Sequence, residues 1–305
     1  MLSITYFKAL SDLTRIRLFN VLQKHEMSVN ELVSLFELGQ SLISRHLKIL
    51  TSSGLLSCRR DRIWAFYSAS RTKDAGRFGQ AIAYLFTNEA ILEEDLEKAY
   101  RIVEERKQSS KSFFNSIASE WDHLKTEILT DIELNEVIGR YVKTSSIVAD
   151  LGCGTGDLLD FLGPHTACSI GVDSSVKMLE QARKRFNHRH RSHIDFRLGE
   201  LEHLPIGNCE VDTAIFSLVL HHLPNPERAV AESERILKSG GILIIADFGQ
   251  HGNECMRKKY GDRWLGFSED DIRGWIGRHG FAMGDETSFM VKESIQLNVF
   301  TATKK

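Results

Sequence analysis

Residues 147–156 read Ile-Val-Ala-Asp-Leu-Gly-Cys-Gly-Thr-Gly, a short apolar run that breaks into three glycines at alternate positions. Such a run predicts a buried strand that turns abruptly at its carboxyl end. Gly152 permits the tight turn, and Gly154 and Gly156 let a ligand approach the backbone without interference from Cβ. The second half of the chain supplies the sheet this loop requires. Ser169–Asp173, Asp212–Ser217 and Ile242–Asp247 read as further strands, and Ser174 or Ser175 can cap the helix after the second strand. A helix starting over Asp157–Leu162 and helical segments around 226–238 and 268–279 fill the gaps. The alternation predicts an α/β doubly wound, mostly parallel sheet with helices on both faces. Ligands bind such sheets at the carboxyl ends of the strands.

The loop's spacing narrows the ligand. Asp173 ends the strand that follows, near the roughly 20-residue spacing of a ribose-binding carboxylate. A dinucleotide fingerprint wants Gly or Ala where Asp157 stands, and an acid at the helix start would repel a pyrophosphate. A zwitterionic ligand without phosphate fits better.

At 305 residues the chain suits two domains. Its charge is uneven. Residues 1–80 hold 12 Lys and Arg against 6 Asp and Glu, and the remainder holds 27 against 35. A basic amino-terminal block suits a polyanionic partner. The five cysteines are scattered without a Cys-x-x-Cys pair, which argues for a reduced, cytoplasmic setting. No apolar run approaches the roughly 20 residues of a membrane span, and Met1–Leu10 lacks the features of a signal peptide.

Within the basic block, Tyr6–Gln23 carries apolar residues at helical spacing. Ser28-Val-Asn-Glu31 has capping-box spacing and predicts a helix that Gly39 ends as a carboxyl-terminal cap. The next helix is expected from Gln40 or Ser41 to Ser52, with Leu42, Ile43, Leu47 and Leu50 inward. Gln40, Ser41, Ser44, Arg45 and Lys48 then form a polar side, which His46 is expected to join. Gly54 before Leu55 fits a left-handed helix end. Two short helices across a tight glycine turn match a helix-turn-helix, whose second helix can bond base edges and phosphates. Residues 55–67 read as a strand pair with a basic tip, Arg59-Arg60-Asp61-Arg62, placed to lie along a phosphate backbone. Arg60 and Arg62 complete the candidate DNA-binding set. Residues 78–105, with Phe78, Ile82, Leu85, Leu92, Leu96, Tyr100 and Val103 as an apolar stripe, supply a last helix. The polar run 104–111 marks a boundary, giving an α+β winged helix-turn-helix domain over 1–105 and an α/β domain over 112–305.

Lys8-Ala-Leu-Ser-Asp-Leu-Thr-Arg-Ile-Arg-Leu18, Ser44-Arg-His-Leu-Lys-Ile-Leu50 and Gly54-Leu-Leu56 resemble the ArsR-type winged helix-turn-helix repressors over roughly residues 1–95. The resemblance implies binding to double-stranded DNA as a homodimer, through the first and last helices. Soft-metal sensors of that family often carry a cysteine pair where this chain has Met27-Ser-Val-Asn-Glu-Leu32. Without thiols there, metal sensing is not expected. His188, His190 and His193 read as a solvated loop, so no metal site is expected.

Val148-Ala-Asp-Leu-Gly-Cys-Gly-Thr-Gly156 resembles the first motif of class I S-adenosylmethionine (SAM)-dependent methyltransferases. Gly171-Val-Asp-Ser-Ser-Val-Lys-Met-Leu179, Arg197-Leu-Gly-Glu-Leu-Glu-His-Leu-Pro205, Phe216-Ser-Leu-Val-Leu-His-His-Leu-Pro224 and Leu237-Lys-Ser-Gly-Gly-Ile-Leu243 extend the likeness over about 112–305. It implies a Rossmann-like fold and SAM or its product S-adenosylhomocysteine as ligand. It places Asp150 and the loop Gly152, Cys153, Gly154 and Gly156 at the methionine moiety. Asp173 with Ser174 would stand at the ribose, Glu200 with Leu201 at the adenine, and Ser217 with Leu218 closing the methionine side. His221 and His222 follow the fourth strand, where a base would reach an acceptor; packing and capping of the loop before Pro224 is the plainer reading. Two functions follow. One is a transcriptional regulator that senses SAM or S-adenosylhomocysteine, with methionine-cycle genes as the role implied by fused regulators of this type. The other is an active small-molecule methyltransferase with an appended winged helix.

Overall fold

The computed structural model describes residues 2–61, 64–70, 72–86, 89–130, 132–187, 193–291 and 295–305. The chain divides into two compact units, Met1–Gln108 and Ser109–Lys305.

The first unit opens with α1 (Leu2–Ala9) and α2 (Leu13–Lys24). The helical spacing over Tyr6–Gln23 thus belongs to two helices. Asp12 interrupts it with extended backbone and caps α2, its side chain accepting from Arg15 N at 3.1 Å. After the short strand β1 (Met27–Ser28), α3 (Val29–Phe36) starts at the expected capping box. Ser28 Oγ accepts from Glu31 N, and Glu31 accepts from Ser28 N at 2.7 Å. Glu37, not Gly39, ends α3 in the left-handed region at φ 54°. Gly39 instead holds extended backbone as the cap of α4 (Gln40–Ser52), so α3 ends two residues earlier than the glycine suggested and the turn is correspondingly longer. Gly54 (φ 85°) closes α4 as expected, and Leu55 behind it is buried.

Strands β2 (Leu56–Asp61) and β3 (Trp64–Ala69) pair antiparallel as the wing, and β3 also takes β1, giving the order β1-β3-β2. Leu18, Phe19 and Leu22 of α2 pack with Leu32, Ile43, Leu47 and Leu50 in the core. The stretch 78–105 is not one helix. α5 (Lys73–Ala83) ends in a single 3₁₀ turn over Tyr84–Phe86, and α6 (Ala90–Ile117) follows. The polar run 104–111 continues α6, and the division between units falls inside that helix. Two ion pairs fix the first part of α6. The Arg17 guanidinium donates twice to the buried Asp95 carboxylate, at 2.7 and 2.7 Å. Arg106 Nη1 meets Glu31 Oε1 at 2.9 Å, so Glu31 serves both the α3 cap and α6.

The second unit continues with α7 (Trp121–Leu129) and α8 (Leu134–Gly139), then alternates β4 (Ile147–Leu151), α9 (Asp157–Leu162), β5 (Cys168–Asp173), α10 (Val176–Asn187) and β6 (Ile194–Leu198). β7 (Val211–Ser217), α11 (Pro226–Ile236), β8 (Leu237–Phe248), α12 (Cys255–Lys259), α13 (Glu269–Arg278), β9 (Phe281–Met290) and β10 (Gln296–Lys304) complete it. The seven-stranded sheet has the order β6-β5-β4-β7-β8-β10-β9. Its first five strands are parallel, and β10 runs antiparallel to both neighbours. β4, β7 and β8 are buried on both faces, so their sequences read as continuous apolar runs. β6, β9 and β10 were not expected. β9 lies at the sheet edge, mostly exposed and rich in polar residues, which removes the apolar signal. Among the described residues no helix is long and apolar enough to cross a membrane.

Candidate functional site

In the first unit, α4 presents Gln40, Ser41, Ser44, Arg45 and Lys48 to solvent, while Ile43, Leu47 and Leu50 face the core. Spacing of three and four along one helix puts those five side chains on one face. His46 does not join them. It is buried, with Nδ1 3.8 Å from Asp12 Oδ1, because position 46 lies on the same stripe as Ile43, Leu47 and Leu50. Arg59 is held by Glu26 at 2.9 Å and stacks over Phe66, so it belongs to the wing's packing. Arg60 falls in β2 without a described side chain, and Arg62 lies outside the described residues.

In the second unit the glycine loop joins β4 to α9. Gly152 N–H and Cys153 N–H both donate to Val172 O, at 2.8 and 3.0 Å, which pins the loop across the end of β5. Gly152, Gly154 and Gly156 all have left-handed backbone (φ 86°, 50° and 77°), a conformation that side chains disfavour. At Gly152 a Cβ would also overlap Val219. Cys153 turns its thiol inward toward Gly171 and packs with Leu159, so only its backbone faces the loop; burial pushes the thiol well up.

Asp173 is the hub. Its Oδ2 accepts from Gly154 N–H at 2.9 Å and its Oδ1 from Ser175 N–H at 2.8 Å. Burial raises its pKa although these amides, with that of Ser174, favour the ionised form. Ser175 Oγ caps α10 by accepting from Met178 N at 3.1 Å, and Ser174 is half-buried beside it. Asp150, at the carboxyl end of β4, is buried among acids. Burial, helped by Asp173 and Asp157 and opposed by Lys125, pushes its carboxyl up to about 7. Asp157, the acid at the start of α9, keeps its charge and is paired with cations. Burial works against its charge, but Lys125, Asn135 and Arg185 outweigh it and hold the carboxyl below its usual range.

At the other strand ends, Ser217 Oγ is buried without a hydrogen-bond partner, and Leu218 takes left-handed backbone at φ 54°. Leu218 packs into the hydrophobic core despite that backbone, whereas a buried hydroxyl without a partner is rare in a protein interior. Glu200 forms an ion pair with Lys111, and Leu201 beside it is buried. The orphan Ser217 hydroxyl, the Cβ-free loop and the buried Asp150 carboxyl fit the hydroxyl and ammonium groups of a nucleoside joined to an amino acid.

Several residues at this site escaped the sequence. Asn115 Oδ1 accepts from Ser175 Oγ at 2.7 Å, and Trp121 Nε1 borders Gly154. Asp122 bonds Thr155 of the loop and Arg185. Leu198 stands opposite Asp173 in register, exposed. Its only signal was an apolar residue ending a strand. His193, expected in a solvated loop, bonds Gly163 O at 3.0 Å; His188 and His190 lie outside the described residues. His221 and His222 follow β7 as expected but are buried beside Asp247 and Asp262. Asp247 and Asp262 outweigh burial and raise His221, whereas burial and His221 lower His222; burial pushes Asp262 up to about 6.

Residues 12–57 match the family described as bacterial regulatory protein, arsR family, and residues 149–245 match the methyltransferase domain family. A 37.1 kDa protein of a transposon of Streptomyces fradiae is 38% identical over 32% of the chain and 29% of its own length. The arsenite methyltransferase of Halobacterium salinarum is 33% identical over 34% of the chain and 27% of its own length. The ubiquinone/menaquinone biosynthesis C-methyltransferase of Campylobacter jejuni is 27% identical over 37% and 48%. The chain therefore spans about half the length of these relatives, or less. Among solved structures, a putative methyltransferase in complex with the Haloferax volcanii Trm112 activator matches at TM-score 0.52 and 19% identity, over 61% of this chain and 96% of that one. Geranyl diphosphate C-methyltransferase from Streptomyces coelicolor, solved with Mg²⁺, geranyl diphosphate and S-adenosyl-L-homocysteine, matches at 0.51 and 13%, over 56% and 78%. At such identities the likeness is one of fold. One chain thus carries an ArsR-family helix-turn-helix domain and a methyltransferase domain of class I fold.

Proposed function

We propose that the protein is a DNA-binding transcriptional regulator whose methyltransferase domain binds SAM or S-adenosylhomocysteine as effector, acting as a homodimer on methionine-cycle genes. The carrying observation is the α4 face. Gln40, Ser41, Ser44, Arg45 and Lys48 are exposed, and their side chains make no hydrogen bond or ion pair to another described residue. Such a face, on a helix placed second in a helix-turn-helix, suits the major groove of a duplex. Phe7, Tyr84, Leu85 and Tyr100 expose apolar surface on the elements expected at the dimer interface. The two ligands differ by one methyl group and one positive charge. Either can switch DNA binding only through different affinities for the DNA-competent and incompetent states. The test selects a duplex from a random pool and measures its affinity with no ligand, SAM and S-adenosylhomocysteine. Equal affinity in all three refutes the effector role.

A second reading, catalysis of methyl transfer, is supported by the match of residues 149–245 to the methyltransferase domain family and by the likeness of part of the chain to enzymes of that class. The bound sulfonium supplies the methyl group. This chain's residues would bind and orient it, and placement of the acceptor can supply much of the acceleration. Turnover with candidate acceptors that is lost in Asp173→Ala supports this reading.

A further inference from the structure

Four ionisable side chains that are scattered in sequence meet in the interior of the second unit. His221 and His222 lie in the 3₁₀ turn after β7, Asp247 near the end of β8, and Asp262 in the loop after α12. His221 Nδ1 is 2.6 Å from Asp247 Oδ1, and His221 Nε2 is 3.6 Å from Asp262 Oδ1. His222 Nδ1 is 4.0 Å from the same Asp262 oxygen. The backbone holds the loop in place. Arg263 N–H and Trp264 N–H donate to His221 O at 3.0 and 2.9 Å, and His222 Nδ1 donates to Gly261 O at 3.2 Å.

All four side chains are buried. Protein interiors satisfy nearly every buried polar atom. Here both Asp262 oxygens, Asp247 Oδ2 and His222 Nε2 lack any hydrogen-bond partner. Three of these four side chains thus carry buried polar atoms with nothing to bond, a want that an electrophile within the cluster would meet.

The arrangement suits a metal ion in three respects. Ligand atoms of His221, His222 and Asp262 lie within 4.8 Å of one another. Two ligands about 2.0–2.1 Å from a tetrahedral ion stand about 3.3 Å apart, so the 3.6 Å gap between His221 and Asp262 needs little closing. Asp247 accepts a hydrogen bond from His221 Nδ1–H, which leaves Nε2 as a lone-pair donor; outer carboxylates hold metal-bound histidines in this way. Two carboxylates and a divalent ion also sum to no net charge, which resolves the burial of both acids. Imidazole nitrogens select transition ions over Mg²⁺ or Ca²⁺.

We propose that His221, His222 and Asp262 bind a divalent transition-metal ion, with zinc the ion to test, and that Asp247 is its positioning carboxylate. Three protein ligands leave a coordination position for water or another small donor. The His222 ring stands 4.7 Å from that of Phe114 and 6.3 Å from that of Trp121, and Trp121 borders Gly154, so the ion lies near the glycine loop. The site holds whether the methyltransferase domain senses its ligand or uses it.

The test uses the full chain stripped with a chelator and titrated with Zn²⁺ against a chromophoric competitor, then with Co²⁺ as a spectroscopic probe. One equivalent of Zn²⁺ is expected, undisturbed by excess Mg²⁺, with a cobalt spectrum of nitrogen and oxygen ligation. Asp247→Asn is expected to weaken Zn²⁺ roughly ten- to a hundredfold, and His222→Ala with Asp262→Asn to abolish the site. Because both Asp262 oxygens are orphans in the metal-free protein, Asp262→Asn alone should melt no lower than the stripped wild type, yet lose the rise in melting temperature on adding Zn²⁺. Zn²⁺ affinity no tighter than millimolar, wild-type affinity in the double variant, or a cobalt spectrum dominated by thiolate charge transfer from the cysteines overturns the proposal. Should the variants fail to fold, the stoichiometry and cobalt spectrum of the wild type decide.

Discussion

With Asp150 at the ligand's ammonium group, as the likeness to methyltransferases implies, binding should strengthen as pH rises through about 7. The Asp150 carboxyl is pushed up to about 7, mainly by burial, with Asp173 and Asp157 adding to the rise. Roughly one Asp150 in eleven is then ionised at pH 6 and roughly ten in eleven at pH 8. A ligand ammonium within about 4–6 Å lowers a carboxyl by about 1–3 units, so the complex holds Asp150 ionised with a value of about 4–6. Binding therefore draws a proton off the protein at pH 6 and almost none at pH 8. Affinity for S-adenosylhomocysteine should rise about five- to tenfold between the two, or about 1.0–1.4 kcal/mol. Calorimetry in buffers of different ionisation enthalpy measures both the affinity and the protons released. Asp150→Asn should bind no more tightly at pH 8 than at pH 6 and release no proton. The reasoning fails if the wild type is flat over this range, or if the asparagine variant keeps the rise. Without ligand the same residue lowers stability as pH rises. Its folded value exceeds the unfolded one, so its contribution is fully present below about pH 4 and is lost through about pH 7.

Three further outcomes follow from the geometry. Arg17→Ala leaves Asp95 as a buried charge without its partner and should destabilise the first unit by about 3–5 kcal/mol, read as a lowered denaturant midpoint; a change below about 1 kcal/mol would show the pair to be dispensable. Lys48→Ala should weaken DNA binding on every sequence alike and make the dependence of log K on log salt shallower by about 1, if Lys48 meets a phosphate. Gly152→Ala adds a methyl against Val219 at φ 86°, and should cost about 2–4 kcal/mol from overpacking and left-handed strain, seen as loss of both ligand affinity and melting temperature; pairing it with Val219→Ala should recover only the overpacking part.

What was legible in the sequence were the features that local chemistry encodes. The Ser28–Glu31 capping box, the left-handed Gly54, the glycine loop and the Asp173 strand end are each written in neighbouring residues, and each stands where spacing predicted. Errors arose where one local cue competed with another. Gly39 looked like the end of α3, but Glu37 takes the left-handed turn first, which leaves Gly39 to open α4. His46 is polar by composition yet sits on the buried stripe of α4, where position outweighs residue type. The long-range partners were invisible. Nothing near Asp95 announces Arg17, nothing near Ser175 announces Asn115, and Asp262 joins His221 only through the loop that follows α12.

The order of strands in the second unit also bears on how the chain assembles as it is synthesised. β10 is made after β9 yet lies between β9 and β8, pairing with both. The five parallel strands can therefore gather while β9 still has no neighbour to hydrogen-bond. An emerging strand in that position exposes an unpaired edge, the kind of surface on which growing chains associate with one another. The polar, mostly exposed side chains of β9 make that interval safer. The last strand acts as a keystone: until it slides in, the ligand-binding half of the sheet is built but its far edge stays open.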